Sequence, residues 1–356
     1  MNKSNQLDFS DKTIYAGLDV HRKDWKVCIL LEDISYKEFT QPPKPEVLGK
    51  YLKKHFPNGI YKSVYEAGFC GFWIHDELEK QGISNIVVNP ADVPTTDKER
   101  KQKTDKRDAR KLARSLRSGE LEGIYVPSRE LLEHRSLVRL RDRQVSDIVR
   151  TKNRIKAHLH FFGIEIPESY KGCNWSKNFV NWVSESPMET EVGKSVKESL
   201  VSQLNLQRKI LLQSNRQLRA LCQTESYKAR ADLLLSIPGI GLIGAMKILT
   251  ELGDISRFKG LKRLCAYIGF IPCTDSSGEH ERIGNMTNRG NRQMKKMLIE
   301  ASWIAIRNDP ALALKYGELK KTMKAQKAII RIGRKLLNRI RFVLIKKEKY
   351  VIGIVQ

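Results

Sequence analysis

Apolar segments of strand length alternate with helical patterns over residues 13 to about 127, and this alternation most limits what the chain can fold into. The segments TIYAGLDV, WKVCILLE and ISYKEFTQ come first and predict three strands in a meander. The middle segment is almost continuously apolar, which is typical of a buried strand. The sequence therefore predicts a sheet with a buried strand at the start of the chain.

Helical and strand patterns then alternate along the sequence. PPKPEVLGKYLKKHF predicts a helix that tolerates proline at its start, YKSVYEA a strand, GFWIHDELEKQG a helix ending at Gly82, and NIVVNP a strand. A basic loop follows, then a helix from about Thr104, and GIYVP is a candidate for a last strand. The order βββαβαβα predicts an α/β domain with an RNase H-like fold over residues 1–127.

Two of these predicted strands end in an acidic residue. Asp19 ends the run TIYAGLD, and Glu66 ends KSVYE. In the predicted fold these strands can lie side by side, so both acids would meet at one end of the sheet. Asp105 and Asp108 are three residues apart in KTDKRDARKLARSL, where a helix would place them on one face.

Grouped together, these four carboxylates can hold two divalent cations about 3.5–4 Å apart, the arrangement used for in-line displacement at phosphorus. Mg²⁺ suits such an all-oxygen site because it takes few carboxylates and keeps waters for the substrate. Each acid alone also has an ordinary explanation, as a turn residue, a surface acid or an offset to nearby positive charge. Asp92 and Asp97 are weaker candidates because they fall in the loop rather than on the helix.

The balance of charge points to a polyanionic partner. The 356 residues contain 65 Lys and Arg against 40 Asp and Glu, a formal net charge of +25. Residues 98–117 hold ten basic and three acidic residues, 135–160 hold eight and two, and 320–349 hold twelve and one. Ribosomal-type and membrane-surface proteins are also basic, but ordinary solvated helix faces mix both signs. Three patches of positive charge favour binding to the phosphates of nucleic acid, with an affinity that depends on salt concentration.

Several classes of protein are disfavoured by what the sequence lacks. The six cysteines include no C-x-x-C pair and no zinc spacing, so we expect buried thiols in a reducing compartment. The polar start MNKSNQLDFSDK does not resemble a signal peptide, and no apolar run reaches the ~18 residues of a membrane span. No G-x-x-x-x-G-K-[ST] motif occurs. We therefore expect a cytosolic protein with no membrane partner.

Two long polar helical patterns follow, over residues 129–160 and about 192–230. Their apolar stripes are too narrow for an independent core, so we expect an antiparallel hairpin or coiled coil that subunits share, a helical linker of residues 128–230. The segment between the two helices is expected to be a loop anchored by Trp175 and Trp182. The candidate seam residues are Leu137, Leu140, Val145, Ile148, Ile155, Leu200, Leu204, Ile210, Leu211, Leu218 and Leu221.

Residues 231–356 predict a mostly helical domain. LLLSIPGIGLIGAMKILTEL resembles a helix-hairpin-helix motif, in which Gly239 and Gly241 would let backbone N–H groups approach a DNA phosphate. An ordinary tight turn explains the same four letters PGIG equally well. A Gly/Ser/Asn-rich loop with Arg282, Arg289 and Arg292 follows, and then an amphipathic helix.

This loop contains two serines, Ser276 and Ser277 of DSSGEHER. Their chemistry alone is weak evidence for a catalytic nucleophile. A serine nucleophile needs an activating base or a metal, and no His–Asp pair is evident beside them. A hydrogen-bonding turn explains both serines as well. His280 is close in sequence, but a single histidine in a polar loop is usually solvated.

The motifs as a set resemble those of the DEDD transposases of bacterial insertion sequences. The four acids stand in YAGLDVHRKDW, VYEAGFCGFW and KTDKRDARKLA, and the distal part carries IPGIGLIGA, CAYIGFIP and SSGEHERIGNMTNRGNRQMKKML. The resemblance covers nearly the whole chain in the expected order. It implies an N-terminal RuvC-like domain, a coiled-coil linker and a C-terminal transposase domain with a nucleophilic serine.

Further expectations follow from this resemblance. The four acids would bind Mg²⁺, and the serine before the glycine, Ser277, would attack phosphorus. A structured noncoding bridge RNA would guide the protein to donor and target DNA, and tetramers would combine acids of one subunit with the serine of another. We would then expect a nucleoid-associated bacterial protein. The residues expected to contact nucleic acid are Lys103, Lys106, Arg107, Arg110, Gly239, Gly241, Arg282, Arg289 and Arg292.

Two alternatives remain open at this point. A metal-dependent junction resolvase would use the same acids and a water molecule, without a serine nucleophile. A basic RNA-binding scaffold with a degenerate nuclease fold would need neither. Asp275 before the two serines, and the acidic Glu279 and Glu281 after them, make the loop less basic than DNA contact would favour.

Overall fold

The chain forms two compact units, Met1–Pro127 and Ser128–Gln356, in a computed structural model. The first unit is built on a mixed sheet, and the second is mostly helical. The structure describes residues 8–32, 34–94, 105–170, 172, 175–277 and 280–353, without the side chains of 105, 106, 274–277 and 280–285.

The sheet of the first unit has the order β3-β2-β1-β4-β5. β1 to β3 form an antiparallel meander because short turns join them, whereas β4 and β5 run parallel to β1 after helical crossovers. The strands are β1 Thr13–Val20, β2 Trp25–Leu31, β3 Ile34–Gln41, β4 Ile60–Glu66 and β5 Ser84–Val88. The crossovers are α1 Pro45–His55 and α2 Trp73–Lys80.

The expected last strand in GIYVP does not form. Residues 120–128 are irregular, and the N–H of Ile124 donates to the carbonyl of Val87 at 2.7 Å. The segment therefore touches β5 beside the sheet without continuing the ladder, and this prediction was wrong.

Helices cover both faces of the sheet. Ile14, Ala16 and Leu18 alternate along β1 and pack in one core with residues of α1 and α2. On the other face lies α3 Asp105–Arg117, whose Ala109 and Ala113 pack with residues of β2. The apolar middle of the sheet is therefore buried from both sides.

The second unit begins with two long antiparallel helices, α4 Arg129–Phe161 and α6 Glu191–Cys222. Of the expected seam, Ile148, Ile155, Leu204 and Leu218 are buried, but Leu140 and Ile210 are 46% and 41% exposed. Within one chain, Val138 rather than Leu140 turns toward the core, so Leu140 and Ile210 are not part of an intrachain seam, and a seam shared between subunits stays a prediction.

The segment between α4 and α6 is more ordered than expected. It contains α5 Lys177–Glu185, so the prediction of a plain loop was wrong. Trp175 and Trp182 pack around Phe179 at ring-centroid distances of 5.0 and 5.7 Å, which confirms their predicted anchoring role.

A single helical core makes up the rest of the second unit, and Val138 and Leu218 at the base of the long helices belong to it. The expected Gly/Ser/Asn-rich loop is instead a two-stranded hairpin, β6 Pro272–Ser277 with β7 His280–Met286. The core helices are α7 Lys228–Leu235, α8 Leu242–Leu252, α9 Leu261–Ile268, α10 Arg292–Asn308, α11 Pro310–Thr322 and α12 Ala325–Lys346.

The described cysteines differ in their exposure to solvent. Cys28, Cys222 and Cys265 are buried free thiols, but Cys273 is exposed, contrary to the expectation for all six; Cys173 lies outside the described residues. In the part of the chain that the structure describes, no helix is both long and apolar enough to pass through a membrane.

Candidate functional site

The structure brings Asp19 and Glu66 to the same edge of the sheet. β1 and β4 are parallel neighbours whose last paired residues are Leu18 and Tyr65, so each acid is the next residue on its strand. Gly17 and Val64 both lie on the face of the sheet that α3 covers. Asp19 and Glu66 each lie two residues further along the same strands and are therefore on that face as well.

Helix α3 runs antiparallel to β1 and carries its N-terminus to this edge. Near its C-terminus, Arg117 donates to the carbonyl of Glu32, beside the start of β1, while Arg110 pairs with Glu38 further along the sheet. Leu112 packs in a cluster with Val64 of β4. Asp108 lies one turn before Leu112 and is therefore displaced toward Glu66.

Gly17 allows this close approach of helix to sheet. A Cβ atom at this position would lie 2.1 Å from the carbonyl oxygen of Ala109 and 2.5 Å from the amide nitrogen of Ala113. Both are backbone atoms, so no side-chain rotation can relieve the overlap. The glycine in YAGLD therefore sets the distance between α3 and the acid-bearing strands.

Replacing Gly17 by Ala is expected to lower the free energy of unfolding by about 3 kcal/mol, the upper range for overpacking a filled core. The matched control is Gly241→Ala, because a Cβ there meets no atom within 4 Å. Urea denaturation followed by circular dichroism measures both variants. Equal midpoints for Gly17→Ala and the parent chain would show that the helix can move away at little cost.

The described acids of the site have basic neighbours. The Oδ2 atom of Asp19 lies 3.0 Å from Nε2 of His21, and Oδ1 of Asp108 lies 3.8 Å from Nζ of Lys111. Both carboxylates are about one-fifth exposed, at 21% and 20%. They are thus accessible from solvent, and the positive charge of Lys111 lies beside Asp108, which offsets part of the negative charge of this edge.

The acids at this edge are of the chemical type that binds divalent cations, but the described side chains alone do not complete a metal site. Asp19, Glu66 and Asp108 supply only oxygen donors, the type that Mg²⁺ prefers. Among the side chains that the structure describes, no three acidic, His or Cys residues form a group that could hold a metal ion. The fourth expected ligand, Asp105, begins α3, and its side chain is outside the described set.

The basic residues expected around the acids occupy different surroundings. Arg107 is exposed, whereas the guanidinium of Arg110 pairs with Glu38, which raises the pKa of Arg110. Lys103 lies outside the described residues, and Lys106 belongs to α3 without a described side chain. Arg107 and Arg110 are both exposed, so the described part of this group lies on the surface of α3.

The PGIG turn of the second unit connects α7 to α8, as the helix-hairpin-helix pattern predicts. Gly239 has φ +90°, and a Cβ there would lie 2.3 Å from the carbonyl oxygen of Ala301 in α10, so this glycine serves packing. Gly241 precedes the first residue of α8, and its Cα faces open space. Of the two glycines, Gly241 is therefore the one that leaves room for a phosphate beside the backbone.

A groove of about 820 Å³ opens beside this turn, between α4, α8 and α10. Its lining includes Arg143 and Arg150 of α4 and Lys296 of α10. Lys247 also lines it, but its ammonium is held 2.5 Å from a carboxylate oxygen of Asp142. Arg150 also pairs with Asp147, and Lys296 lies 3.8 Å from Glu300, so acids of the same lining neutralise much of the groove's positive charge.

The expected serine and arginines follow α9 in the second unit. Ser277 is the last residue of β6 and pairs with His280, while Arg282 of β7 pairs with Asp275; the side chains of all four lie outside the described set. Arg289 and Arg292 are exposed at the turn into α10. Burial and then Arg292 lower the pKa of nearby Lys295, which donates to the carbonyl of Thr287 at 2.8 Å.

Glu251 fixes the start of α10, a role that sequence reasoning missed. Its side chain is buried and accepts hydrogen bonds from Nε and Nη2 of Arg139 at 2.7 and 2.8 Å and from Nδ2 of Asn291 at 2.8 Å. Asn291 in turn accepts from the N–H of Met294 as the cap of α10. Through these hydrogen bonds the buried carboxylate of Glu251 ties the turn after the β6–β7 hairpin to α4.

Sequence reasoning also missed His21 and Lys111. His21 follows Asp19 by two residues, and Lys111 follows Asp108 by three, a spacing at which helical side chains meet. These spacings were readable in the sequence. For Glu251 no such local signal exists, because Arg139 and Asn291 are 112 and 40 residues away.

Two protein-family models match the chain in separate places. One, described as Transposase of the DEDD type found in IS110, matches residues 16–164, which include the acid-bearing sheet edge and α3. The other, described as Transposase IS116/IS110/IS902 family, matches residues 231–317, which include the PGIG turn and the β6–β7 hairpin.

Individual relatives agree with these models. The transposase for insertion sequence element IS1533 of Leptospira borgpetersenii is 24% identical over 302 residues, 82% of this chain and 85% of the relative. The y4rJ protein of Sinorhizobium fredii is 28% identical over 308 residues, 80% of this chain and 76% of the relative. The y4qE protein of the same organism is 28% identical over 239 residues, and this chain spans 57% of its length.

The two family models follow one another in chain order and fall on the parts of the structure that hold the candidate residues. Relatives that align over most of the chain include transposases of insertion sequence elements, enzymes that act on DNA. The chain therefore belongs to the DEDD transposases of insertion sequences, the IS116/IS110/IS902 family.

Proposed function

We propose that this transposase is an RNA-guided DNA recombinase that cuts and rejoins DNA through a covalent phosphoserine. The observation that carries the proposal is the meeting of Asp19 and Glu66 at adjacent strand ends, with the N-terminus of α3 and Asp108 directed to the same edge. An acid-lined edge in a chain of net charge +25 suits a reaction on a polyanionic substrate.

The first unit is proposed to be an RNase H-like domain of the RuvC-like type. Its support is the strand order β3-β2-β1-β4-β5, with an antiparallel meander followed by two parallel strands and with helices on both faces. In this arrangement the carboxyl ends of β1 and β4 are neighbours, which is where the acids lie.

Asp19, Glu66, Asp105 and Asp108 are proposed to hold Mg²⁺. When bound, the ion would supply Lewis-acid polarisation of the scissile phosphate. His21 and Lys111 hold Asp19 and Asp108 in place, and the packing of α3 on Gly17 keeps the helix that carries two of the acids at a fixed distance from the sheet.

Ser277 is proposed as the nucleophile. Its oxygen would form a bond to phosphorus as its proton is lost, the bond from phosphorus to the 3′ oxygen would break, and that oxygen would leave as a 3′-hydroxyl. The reverse reaction with a different 3′-hydroxyl would release the serine and join the strands. Because one phosphodiester replaces another, no ATP is required, which agrees with the missing nucleotide motif.

The long helices α4 and α6 are proposed to form a coiled-coil linker through which subunits assemble as dimers to tetramers. They expose Leu140, Val149, Leu206 and Ile210, at 46%, 49%, 59% and 41%. Apolar side chains exposed together along one hairpin are typical of an interaction surface.

A guide RNA is proposed to choose the DNA site by base pairing, while basic surfaces of the protein bind backbones. We expect one structured transcript to copurify with the protein, and we expect DNA cutting to depend on it. Sequencing the copurified RNA and then changing its pairing loops should move the cut to the matching DNA. Cutting of an unchanged site by RNA-free protein would refute the guide and leave the transposase assignment intact.

A further inference from the structure

The third basic patch of the sequence lies on the C-terminal helices, and the proposed function, on which this inference rests, does not say which nucleic acid it binds. The patch includes Lys320 and Lys321 at the end of α11 and Lys327, Arg331, Arg334 and Lys335 on α12, and we call these six residues the α11–α12 basic face. All six residues are exposed. Among the described side chains, none of the six forms an ion pair.

Charge composition separates this face from an ordinary solvated helix. The 22 residues of α12 include seven Lys and Arg and no acid. Surface helices usually mix both signs, because Glu–Lys pairs one turn apart stabilise them. Arg339, another of the seven, has a structural role instead, because it lies 2.9 Å from the buried carboxylate of Asp309.

The two helices bring their charges together. Glu318 of α11 is an acid close to the face, and its pKa is lowered first by Lys315 and also by Lys321 and Lys335, which come from different helices. One carboxylate thus lies among cations of both helices. Leu319 of α11 and Ile329 of α12 also belong to one core, so the two helices pack together and present their charges on neighbouring surfaces.

Helix α12 presents this surface rigidly. Its opposite side is buried in the helical core, with Ala328, Ile332, Leu336 and Ile340 fully inaccessible to solvent. A peripheral membrane helix inserts its apolar side into lipid, and in α12 this side is already packed against the helical core.

We propose that the α11–α12 basic face binds the phosphate backbone of duplex DNA. Lys327, Arg331 and Lys335 lie on successive turns, about 6 Å apart along the helix. Each strand of duplex DNA carries a dense row of negative charges, so cations repeated along one helix face can each approach a phosphate. The site would add affinity without sequence preference.

The test uses the full chain and a labelled duplex of about 30 base pairs and arbitrary sequence, long enough to span several helical turns of DNA, with EDTA present so that no strand is cut. The patch variant is Lys327→Gln, Arg331→Gln, Lys335→Gln. The control variant is Lys50→Gln, Lys53→Gln, Lys54→Gln on exposed positions of α1, which removes the same charge from a different unit. Glutamine keeps helix propensity close to that of lysine, so both variants should fold.

Fluorescence anisotropy measures the Kd for DNA across a salt series. Near physiological salt, the Kd of the patch variant should be at least about tenfold higher than that of the parent chain. The slope of log affinity against log salt concentration should be shallower by about 2–3, because each lost phosphate contact changes it by about 0.9. The control should stay within about twofold of the parent. A second variant, Lys327→Arg with Lys335→Arg, should retain affinity.

Identical binding by the patch and control variants would overturn the proposal, and so would a loss confined to structured RNA with duplex DNA unaffected. Because EDTA prevents cleavage, neither result depends on the roles of Ser277 or of the carboxylates.

Discussion

Replacing Asp108 by Asn is expected to reduce DNA strand cleavage in Mg²⁺ by about 10³-fold, the effect of removing one preorganised electrostatic group. Asparagine has nearly the same shape but lacks the charge that a divalent cation requires. Asp108 is part-exposed at 20%, so its replacement should leave the fold and the binding of RNA and DNA unchanged. The same loss is expected for Asp105→Asn.

The matched control is Asp92→Asn. Asp92 is an acid of the same unit in the short 3₁₀ turn Pro90–Asp92, outside α3, where it accepts a hydrogen bond from Asn89. Cleavage of end-labelled DNA by each variant, together with its affinity for the same DNA in EDTA, separates chemistry from binding. Full cleavage by both Asp105→Asn and Asp108→Asn would remove the metal-site assignment.

Replacing Ser277 by Ala is expected to abolish formation of a covalent protein–DNA adduct, whereas Ser276→Ala should only weaken it. The two serines are consecutive positions of β6, paired with His280 and Glu281 of β7. Ser277 directly precedes Gly278, the position that the resemblance to the family implies for the nucleophile.

A nicked suicide DNA traps the adduct, and mass spectrometry of the linked peptide identifies the residue. Attachment at Ser276 would mean that the nucleophile has been assigned to the wrong residue. Cutting without any adduct would favour a resolvase that uses water. Binding without any cutting, unchanged when all four acids are replaced by Ala, would favour a basic RNA-binding scaffold.

The alternation of strands and helices in the first unit was predictable because period and length are local properties. Strand patterns ending in Asp19 and Glu66 and a helix starting near Asp105 were readable from a few adjacent residues each. The segment GIYVP, predicted to be a strand but irregular in the structure, shows the limit of prediction from local pattern. A short apolar run becomes a strand only if a free sheet edge pairs with it.

In the hairpin β6–β7, by contrast, a segment predicted to be a loop forms two strands. Gly, Ser and Asn are poor strand residues, so DSSGEHERIGNM favoured a loop, but pairing between two segments overrides weak local preference. Likewise, a helical period cannot decide whether Val138 or Leu140 faces the core, because the answer depends on which helix packs beside it.

The residue types of the candidate site, the order of the elements that carry them and the excess of positive charge are all readable from the sequence. The placement of β4 beside β1, the close packing of α3 on Gly17 and the link that Glu251 makes between α4 and the start of α10 are visible only in the folded chain. These features depend on contacts between residues tens of positions apart. Such contacts arise from packing of the whole core, which no local periodicity encodes.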